Sequence, residues 1–257
     1  MVSPEALITN RDGIVGTWSK PAGVPAPLEL DSPDNLVRWE QNVRGSLFNF
    51  EMFSRLGFTA GPGERVTVWH LEQSAAADPD DPPGAAYQRL CRLTRPDQDV
   101  FKAQLDMIAG YADLRPDRTA EIMAEVETVV PFLGSIAYLR PDRTQWTIEL
   151  LACAFRLARF VEMRVKHALA CRRANEFSPQ IQPMIQTPGH GSLPSGHSTE
   201  SFTMATVLLN LLRAGANPVY DDPSYGVELM RQAARIAINR TVAGVHFPAD
   251  SMAGCIL

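Results

Sequence analysis

The chain has 257 residues, which is enough for one large domain or two small ones with a substantial core. Hydrophobic residues make up 45% and charged residues 21%, and the net charge of -5 excludes a generally basic surface for nucleic acid. The most apolar window, residues 146–160, is interrupted by Glu149, Arg156 and Arg159, so we predict no membrane span. The N-terminal region lacks the pattern of a signal peptide, and we therefore expect a cytoplasmic protein.

The N-terminal part of the chain predicts an extended arm followed by a helix. Residues 1–31 are mixed in composition and include Pro21, Pro25 and Pro27, whereas residues 32–257 are expected to form a single all-α catalytic domain. Ser32-Pro33-Asp34 is typical of a helix start. The helix should end near Gly57, and its core face should consist of the residues at helical spacing, namely Leu36, Trp39, Val43, Leu47, Phe50 and Phe53.

Residues 58–84 are rich in turn formers. Gly61-Pro62-Gly63 and the stretch 78–84 predict loops, while Val66-Thr67-Val68-Trp69 fits either a short strand or a helical turn. His70 lies here outside every motif and is expected to be structural.

The tripeptide Arg-Pro-Asp occurs three times, at residues 95–97, 115–117 and 140–142. Proline and an acidic residue are both favoured in the first turn of a helix, so each copy predicts a helix start. The three predicted helices cover about 97–113, 117–137 and 142–172. The last of them would carry Lys166 and Arg173, which are seven residues apart and so two turns along one helical face.

The stretch from Thr187 to Ser198 is composed of turn formers and precedes an apolar segment. Ser198 or Thr199 can cap this segment as a helix over 199–213. The backbone N–H groups of a helix start, together with the histidines and hydroxyls of this stretch, are suited to binding an anion. Further helices are predicted over 224–238 and from about Pro248 onward.

A third cluster consists of Arg240, His246 and Asp250. An aspartate four residues after a histidine can accept one ring N–H and fix the tautomer, which leaves the other ring nitrogen free to attack or to ligate.

The three clusters together resemble a known signature. Lys-x6-Arg at 166–173, Pro-Ser-Gly-His at 194–197 and Arg-x5-His-x3-Asp at 240–250 resemble the motifs shared by vanadium-dependent haloperoxidases and type 2 phosphatidic acid phosphatases. Ala174 stands where the family usually has proline, and Asn239 where it often has serine; we expect neither position to carry chemistry. The resemblance implies an all-α helical bundle of the haloperoxidase and acid phosphatase type, with its site-bearing part at 142–257.

The resemblance also implies the roles of the site residues. The oxyanion, phosphate or vanadate, would be bound by a set of donors, namely Lys166, Arg173, Ser195, Gly196 and Arg240. His246, oriented by Asp250, would bond to phosphorus or vanadium, and His197 would act as general acid or base. His190 lies seven residues before His197, where bromide-using haloperoxidases typically have histidine, and it is expected to tune the halide or substrate site.

Two functions share this set of residues. We expect a vanadium-dependent haloperoxidase that holds vanadate on His246 and oxidises bromide or iodide with hydrogen peroxide. The alternative is an acid-phosphatase-like phosphomonoesterase that acts through a phosphohistidine and needs no cofactor. Met163 in place of an aromatic residue and the short chain favour the phosphatase. The chain stops seven residues after Asp250, so we expect either that a partner subunit covers this end or that the sequence is truncated. Assembly into a homo-oligomer is therefore one of the two alternatives.

Overall fold

A computed structural model describes residues 19–74, 80, 82–215 and 217–257. Residues 1–40 form one compact unit and residues 41–257 a second. In the described part of the first unit, Pro33–Arg38 form a 3-10 helix that begins with a proline and an acidic residue. The side-chain amide of Asn35 donates to the carbonyl oxygen of Glu29 over 2.7 Å. Much of the arm predicted for residues 1–31 lies outside the described residues, and that domain boundary stays a prediction.

The second unit is mostly helical. Its α-helices are α1 (Gln41–Ser54), α2 (Gln98–Tyr111), α3 (Arg115–Glu127), α4 (Val130–Gly134), α5 (Gln145–Leu169), α6 (Ala174–Phe177), α7 (Gly196–Ala214), α8 (Pro223–Val242) and α9 (Pro248–Ile256). Short 3-10 helices occur at Ala112–Leu114, Pro179–Ile181 and Pro218–Asp221.

A three-stranded antiparallel sheet adds to the helices. Its strands are β1 (Leu56–Gly61), β2 (Arg65–Ser74) and β3 (Gly84–Thr94), in the order β1-β2-β3. Gly61-Pro62-Gly63 opens the turn between β1 and β2, as the sequence predicts. The all-α prediction is therefore incomplete, and Val66–Trp69 is part of a strand rather than a helical turn. Of the loop predicted for 78–84, residues 78, 79 and 81 lie outside those described, and Gly84 is the first residue of β3.

The helical bundle surrounds α7. Helix α5 packs against α7, α7 against α8 and α9, α1 against α5, and α3 against α8. One apolar cluster fills the space between α5, α7 and α8, with Leu151, Met204, Leu208, Leu229 and Ile236 fully buried. A second cluster joins the sheet to α2, α5 and α9, where the rings of Phe101, Phe177 and Phe247 contact one another. The two clusters fix α5 and the N-terminus of α7, which carry parts of the site.

The predicted helix from residue 33 to Gly57 is wrong in extent and in its buried face. Helix α1 begins only at Gln41, and its buried residues are Arg44, Gly45 and Asn49. Val43, Leu47 and Phe50, which the periodicity assigned to the core, are exposed. Polar contacts explain why this face of α1 is buried: Arg44 forms a bidentate ion pair with Glu149 of α5, and Asn49 donates to the Cys153 carbonyl oxygen.

Two of the three Arg-Pro-Asp copies begin helices. Asp97 caps α2 by accepting a hydrogen bond from the Asp99 amide, and Pro116 lies in the first turn of α3. The copy at 140–142 instead forms a turn, because Arg140 pairs with Asp142 and its carbonyl oxygen accepts the Thr144 amide. The helix predicted for 117–137 is interrupted after Glu127, where Thr128 is extended with φ -162° and ψ 144°.

Candidate active site

The centre of the candidate site is the side chain of His246, which is 4% exposed. Its Nδ1 lies 3.0 Å from Asp250 Oδ2, and its Nε2 lies 3.0 Å from Arg173 Nη1. A guanidinium can only donate, so Nε2 accepts and the ring proton lies on Nδ1, where it is donated to Asp250. The lone pair on Nε2 is therefore the nucleophilic one.

The charges around His246 keep its ring neutral. Burial lowers the pKa of His246 well below its usual value, and the positive charges of Arg173 and Lys166 lower it further. Burial also raises the pKa of Asp250, to about 6, although the Ser192 hydroxyl and the Phe247 amide donate to its Oδ2. At neutral pH the pair thus consists of a neutral imidazole and a carboxylate.

Arg173 lies between His246 and His190. Its Nη1 also donates to the Val245 carbonyl oxygen over 2.7 Å, and its Nε donates to the His190 carbonyl oxygen over 3.0 Å. Its Nη2 lies 3.2 Å from His190 Nδ1. Burial lowers the pKa of Arg173, and the nearby carboxylates of Asp250 and Glu162 oppose that change. The guanidinium is therefore held in place beside Nε2 of His246.

Lys166 is 2% exposed and lies on the last turn of α5. Its ammonium donates to the carbonyl oxygens of Ser192 and Pro194, the residues on either side of Leu193. Since an ammonium has three hydrogens, one is left for a ligand. Burial lowers the pKa of Lys166, and Glu162 opposes this change.

Ser195 and Gly196 begin helix α7. The Ser195 amide donates to the Asp250 carbonyl oxygen over 2.8 Å, while its buried hydroxyl has no hydrogen-bond partner among the described residues. Gly196 is the first residue of the helix, so its N–H has no acceptor within the helix. Together they present a hydroxyl and a backbone donor at the positive end of the helix dipole.

Arg240 is 1% exposed and is held by Glu125. Its Nη2 donates to Glu125 Oε2, and the other carboxylate oxygen accepts from the Asn239 amide over 2.7 Å. Within the described residues, Nε and Nη1 of Arg240 are buried and lack acceptors. Burying a charged donor without an acceptor is costly, and an oxyanion would supply the missing acceptor.

His197 is positioned by a backbone carbonyl. Its Nε2 lies 3.0 Å from the carbonyl oxygen of Glu125, which can only accept, so Nε2 carries a proton and Nδ1 is left for the substrate. Burial lowers the pKa of His197 to about 4, and the charge of Arg240 lowers it further. The ring is therefore neutral at neutral pH.

His190 is more exposed than the other two site histidines. Burial lowers its pKa, and the cations nearby lower it further. The neutral ring accepts the Arg173 hydrogen at Nδ1; a protonated ring would instead donate from Nδ1 to the Gly191 carbonyl oxygen, also 3.2 Å away.

Part of the site faces a cavity of about 260 Å³. The site residues that line it are Glu125, His190, Gly196, His197 and His246, together with Glu162 and Glu200. This volume lies below the usual range for drug-sized ligands, about 300–1,000 Å³. A larger cavity of about 500 Å³ is lined by Arg173 and His190 among others, but neither His197 nor His246 lines it. We therefore assign the chemistry to the smaller cavity.

The sequence model of the PAP2 superfamily matches residues 110–257, more than half of the chain. The chain belongs to the PAP2 superfamily. This confirms the resemblance drawn from the three motifs. No curated protein matches the chain. Among solved structures, the chain is similar to a transmembrane PAP2-type phosphatidylglycerolphosphate phosphatase from Bacillus subtilis, at 19% identity and a TM-score of 0.49. The similarity covers 62% of this chain and 81% of that one. Among the described helices of this PAP2 protein, none combines the length and the apolar character needed to cross a membrane.

The structure brings the residues of the three PAP2 motifs around one region, but not as the sequence predicts for Lys166 and Arg173. Helix α5 ends at Leu169, because Ala170 adopts a left-handed conformation with φ 48°. Arg173 is instead the N-cap residue of the short helix α6, so the two side chains reach the site from different segments. Ala174 is the first residue of that helix, a position where proline is equally acceptable, which explains this departure from the family pattern.

Several carboxylates of the site could not be assigned from the motifs. Glu125 orients Arg240, and Asn239, which was expected to carry no chemistry, holds Glu125 in place. No sequence signal links Glu125 to residues more than a hundred positions later. Glu162 lies one helical turn before Lys166, and this spacing places both on one face of α5. That signal was available in the sequence.

The donor set is suited to a tetrahedral oxyanion rather than to a bare metal ion. The unpartnered Arg240 nitrogens and the unpartnered Ser195 hydroxyl are buried donors, and the charge of Arg240 acts on both His197 and His246. No group of three histidine, cysteine or acidic side chains in the described ranges is arranged to hold a metal ion. The donor geometry fits phosphate, and it equally fits vanadate bound at His246.

Proposed function

We propose that this PAP2 protein is a phosphomonoesterase that acts through a phosphohistidine at His246. The observation that carries the proposal is the hydrogen bonding of the two ring nitrogens of His246. Its Nε2 lone pair is held by Arg173 and its opposite nitrogen by Asp250, beside buried donors of Arg240 and Ser195 that lack acceptors. A nucleophile beside unused donors is the arrangement that phosphoryl transfer requires.

In the first step the Nε2 lone pair of His246 attacks phosphorus, the P–N bond forms and the P–O ester bond breaks. The hydrogen bond from Arg173 Nη1 to Nε2 is then lost, because the lone pair has been used. That N–H becomes available to a phosphoryl oxygen at the moment when charge develops there. Arg173 can therefore bind the transition state better than the free substrate.

In the second step water attacks phosphorus, the P–N bond breaks and inorganic phosphate forms. We assign Nδ1 of His197 as the base that takes the proton of this water, since Nε2 is committed to the Glu125 carbonyl oxygen. Binding of an anionic substrate raises the pKa of a neighbouring histidine. His197 can thus carry a proton to the leaving oxygen in the first step and receive one in the second.

The cavity wall favours the phosphatase over the haloperoxidase. Glu125, Glu162 and Glu200 line the cavity beside the proposed oxyanion site. Their ionised forms would repel a halide ion, which has no hydrogen to share with them. A phosphomonoester that carries a P–OH group can instead donate its hydrogen to a carboxylate, or accept one from a carboxylic acid.

A vanadium-dependent haloperoxidase is the second candidate, and the position of His190 supports it. His190 lines the cavity and contacts Arg173, close enough to the anion site to influence a halide. Vanadate would be held by His246 and by the donors Lys166, Arg173, Ser195, Gly196 and Arg240, and it would supply the activation of peroxide.

A paired assay on the purified protein tests the two candidates. We expect hydrolysis of p-nitrophenyl phosphate without added vanadate, with inhibition by vanadate because it occupies the same site. Bromination that requires vanadate and peroxide, without phosphate ester hydrolysis, would favour the haloperoxidase. Phosphate binding with neither activity would favour a third class, a non-enzymatic oxyanion-binding protein.

A further inference from the structure

Glu162 is a buried carboxylate that the proposed mechanism does not use. It is 3% exposed, it lines the cavity, and its Oε2 has no hydrogen-bond partner in the described part of the chain. Its carboxylate lies directly against Gly196, since a Cβ on that glycine would be 2.8 and 3.0 Å from the two carboxylate oxygens. Glu162 is therefore placed beside the N-terminus of α7, where the oxyanion is proposed to bind.

Charged groups from several elements face Glu162. Arg159 and Lys166 lie on its own helix, Arg173 approaches from the loop that follows, and Glu200 comes from α7. Glu125 and His197 line the same cavity. Burial raises the pKa of Glu162 to about 8, the negative charge of Glu200 raises it further, and the three cations oppose this rise. Glu200 also has a raised pKa, chiefly because of burial.

An ionised Glu162 beside a phosphate or sulfate dianion would place like charges in a poorly solvated cavity. Such an arrangement is strongly unfavourable unless a hydrogen lies between the two sets of oxygens. A carboxylic acid can donate that hydrogen to the anion, or an anion that carries its own hydrogen can donate it to the carboxylate.

We propose that Glu162 is a further ligand of the bound oxyanion and selects for anions that can share one hydrogen with it. The inference rests on the proposed function, because it places the oxyanion beside His246 and Gly196. The favoured ligands are inorganic phosphate and phosphomonoesters that keep a P–OH group. Sulfate at neutral or alkaline pH has no hydrogen, so it binds only when Glu162 itself is protonated.

The test compares inorganic phosphate with sulfate by isothermal titration calorimetry at several pH values. Between about pH 8 and about pH 10 both are dianions, but only phosphate retains a hydrogen. Above the Glu162 pKa of about 8, we expect the ratio of phosphate affinity to sulfate affinity to rise by up to about tenfold per pH unit. Lys166 also loses its charge in this pH range. That loss weakens the binding of both anions and therefore cancels in the affinity ratio.

Glu162→Gln is the matched variant, since its amide can donate to sulfate without taking up a proton. We expect the affinity ratio of this variant to be independent of pH. Glu200→Gln removes the like charge, lowers the pKa of Glu162, and should start the rise of the ratio at a lower pH. The wild-type ratio needs no variant and keeps the test decisive if a variant does not fold.

A wild-type ratio that does not change with pH, while both anions bind, would overturn this inference and leave the phosphatase proposal intact. A Glu162→Gln variant with the wild-type pH profile would also overturn it. Absence of binding by either anion would overturn both proposals, because no oxyanion site would then exist.

Discussion

Arg173 Nη1 and His246 Nε2 are 3.0 Å apart, so the guanidinium of Arg173 is hydrogen-bonded to the lone pair of the proposed nucleophile. Asp250 holds the other ring nitrogen at the same distance. The ring is thus fixed from both sides, and a ligand that bonds to Nε2 must replace the hydrogen bond from Arg173. The same nitrogen would carry phosphate or vanadate.

We predict that His246→Ala abolishes phosphatase activity and vanadate binding together, because one nitrogen serves both. The measurement is p-nitrophenyl phosphate hydrolysis alongside vanadate binding by calorimetry. As a control, His70→Ala replaces a histidine of strand β2 outside the site and should retain both. If His246→Ala lost one function and kept the other, two separate sites would have to exist.

Asp250→Ala should be milder than His246→Ala, with a loss of about 10- to 100-fold in kcat/KM, as for other groups that orient a reactive histidine. The loss arises because the ring is no longer held with its proton on Nδ1, although Nε2 is still present. Thermal unfolding should be measured in parallel, since Ser192 and the Phe247 amide also lose their acceptor. A variant as inactive as His246→Ala but fully folded would assign Asp250 a direct role.

Glu125 positions Arg240, and two substitutions separate its charge from its hydrogen bond. Glu125→Gln keeps an oxygen for Arg240 Nη2 but removes the negative charge, so phosphate affinity should increase by several-fold. Glu125→Ala removes the acceptor as well, and kcat should fall by about tenfold because Arg240 is no longer oriented. The kinetic constants of the two variants, with inhibition by phosphate, give the comparison. Equal effects of both variants would contradict a positioning role.

More of the candidate site than of the fold around it could be predicted from the sequence. Lys166, His197 and His246 could be singled out because each belongs to a motif of defined spacing. Glu125 could not, since its contact with Arg240 depends on how α3 packs against α8, which no local pattern records.

Hydrophobic periodicity did not predict the buried face of an element where packing against a neighbouring element determines which residues are buried. Val43 and Leu47 have helical spacing in α1, but the face that packs on α5 is the polar one carrying Arg44 and Asn49. Strand β3 was missed for a similar reason: of its eleven residues only Leu93 is buried, and hydrogen bonding to β2 defines it.

Because of its buried carboxylates, we predict that the protein's free energy of unfolding falls as the pH rises. Burial raises the pKa of Glu125 to about 7 and that of Glu162 to about 8, so around neutral pH the folded protein holds protons that the unfolded chain releases. The unfolding free energy should therefore fall between about pH 6.5 and about pH 7.5, by up to roughly 1.4 kcal/mol per pH unit for each such proton. His197 and His246 oppose this mainly below about pH 6.5, because their lowered pKa values keep them neutral in the folded protein while the unfolded chain binds protons there.

Urea unfolding of the wild type and of Glu162→Gln at both pH values measures this slope. The variant should have the shallower slope, because one titrating group has been removed. Glu228→Gln is the control, as Glu228 is an exposed partner of Arg231 on α8 and its loss should leave the slope unchanged. A wild-type stability that increases across this interval would contradict the prediction.

His190 should affect halide oxidation and not vanadate affinity. Chloride is harder to oxidise than bromide or iodide, so we expect any vanadate-dependent peroxidase activity to use bromide or iodide. His190→Ala removes an imidazole that lines the cavity and accepts from Arg173 through Nδ1, but the contacts of Arg173 with the His190 backbone and with His246 do not depend on that ring. Bromide turnover should therefore change while vanadate affinity stays within about twofold of the wild type, which calorimetry and a bromination assay across about pH 5 to 8 would measure.

Bromination equal to that of the wild type at every pH would show that His190 has no part in the halide site. Absence of bromination in wild-type protein with vanadate bound would leave phosphate ester hydrolysis as the activity to which His190 contributes, and KM for p-nitrophenyl phosphate would then be the quantity that its substitution changes.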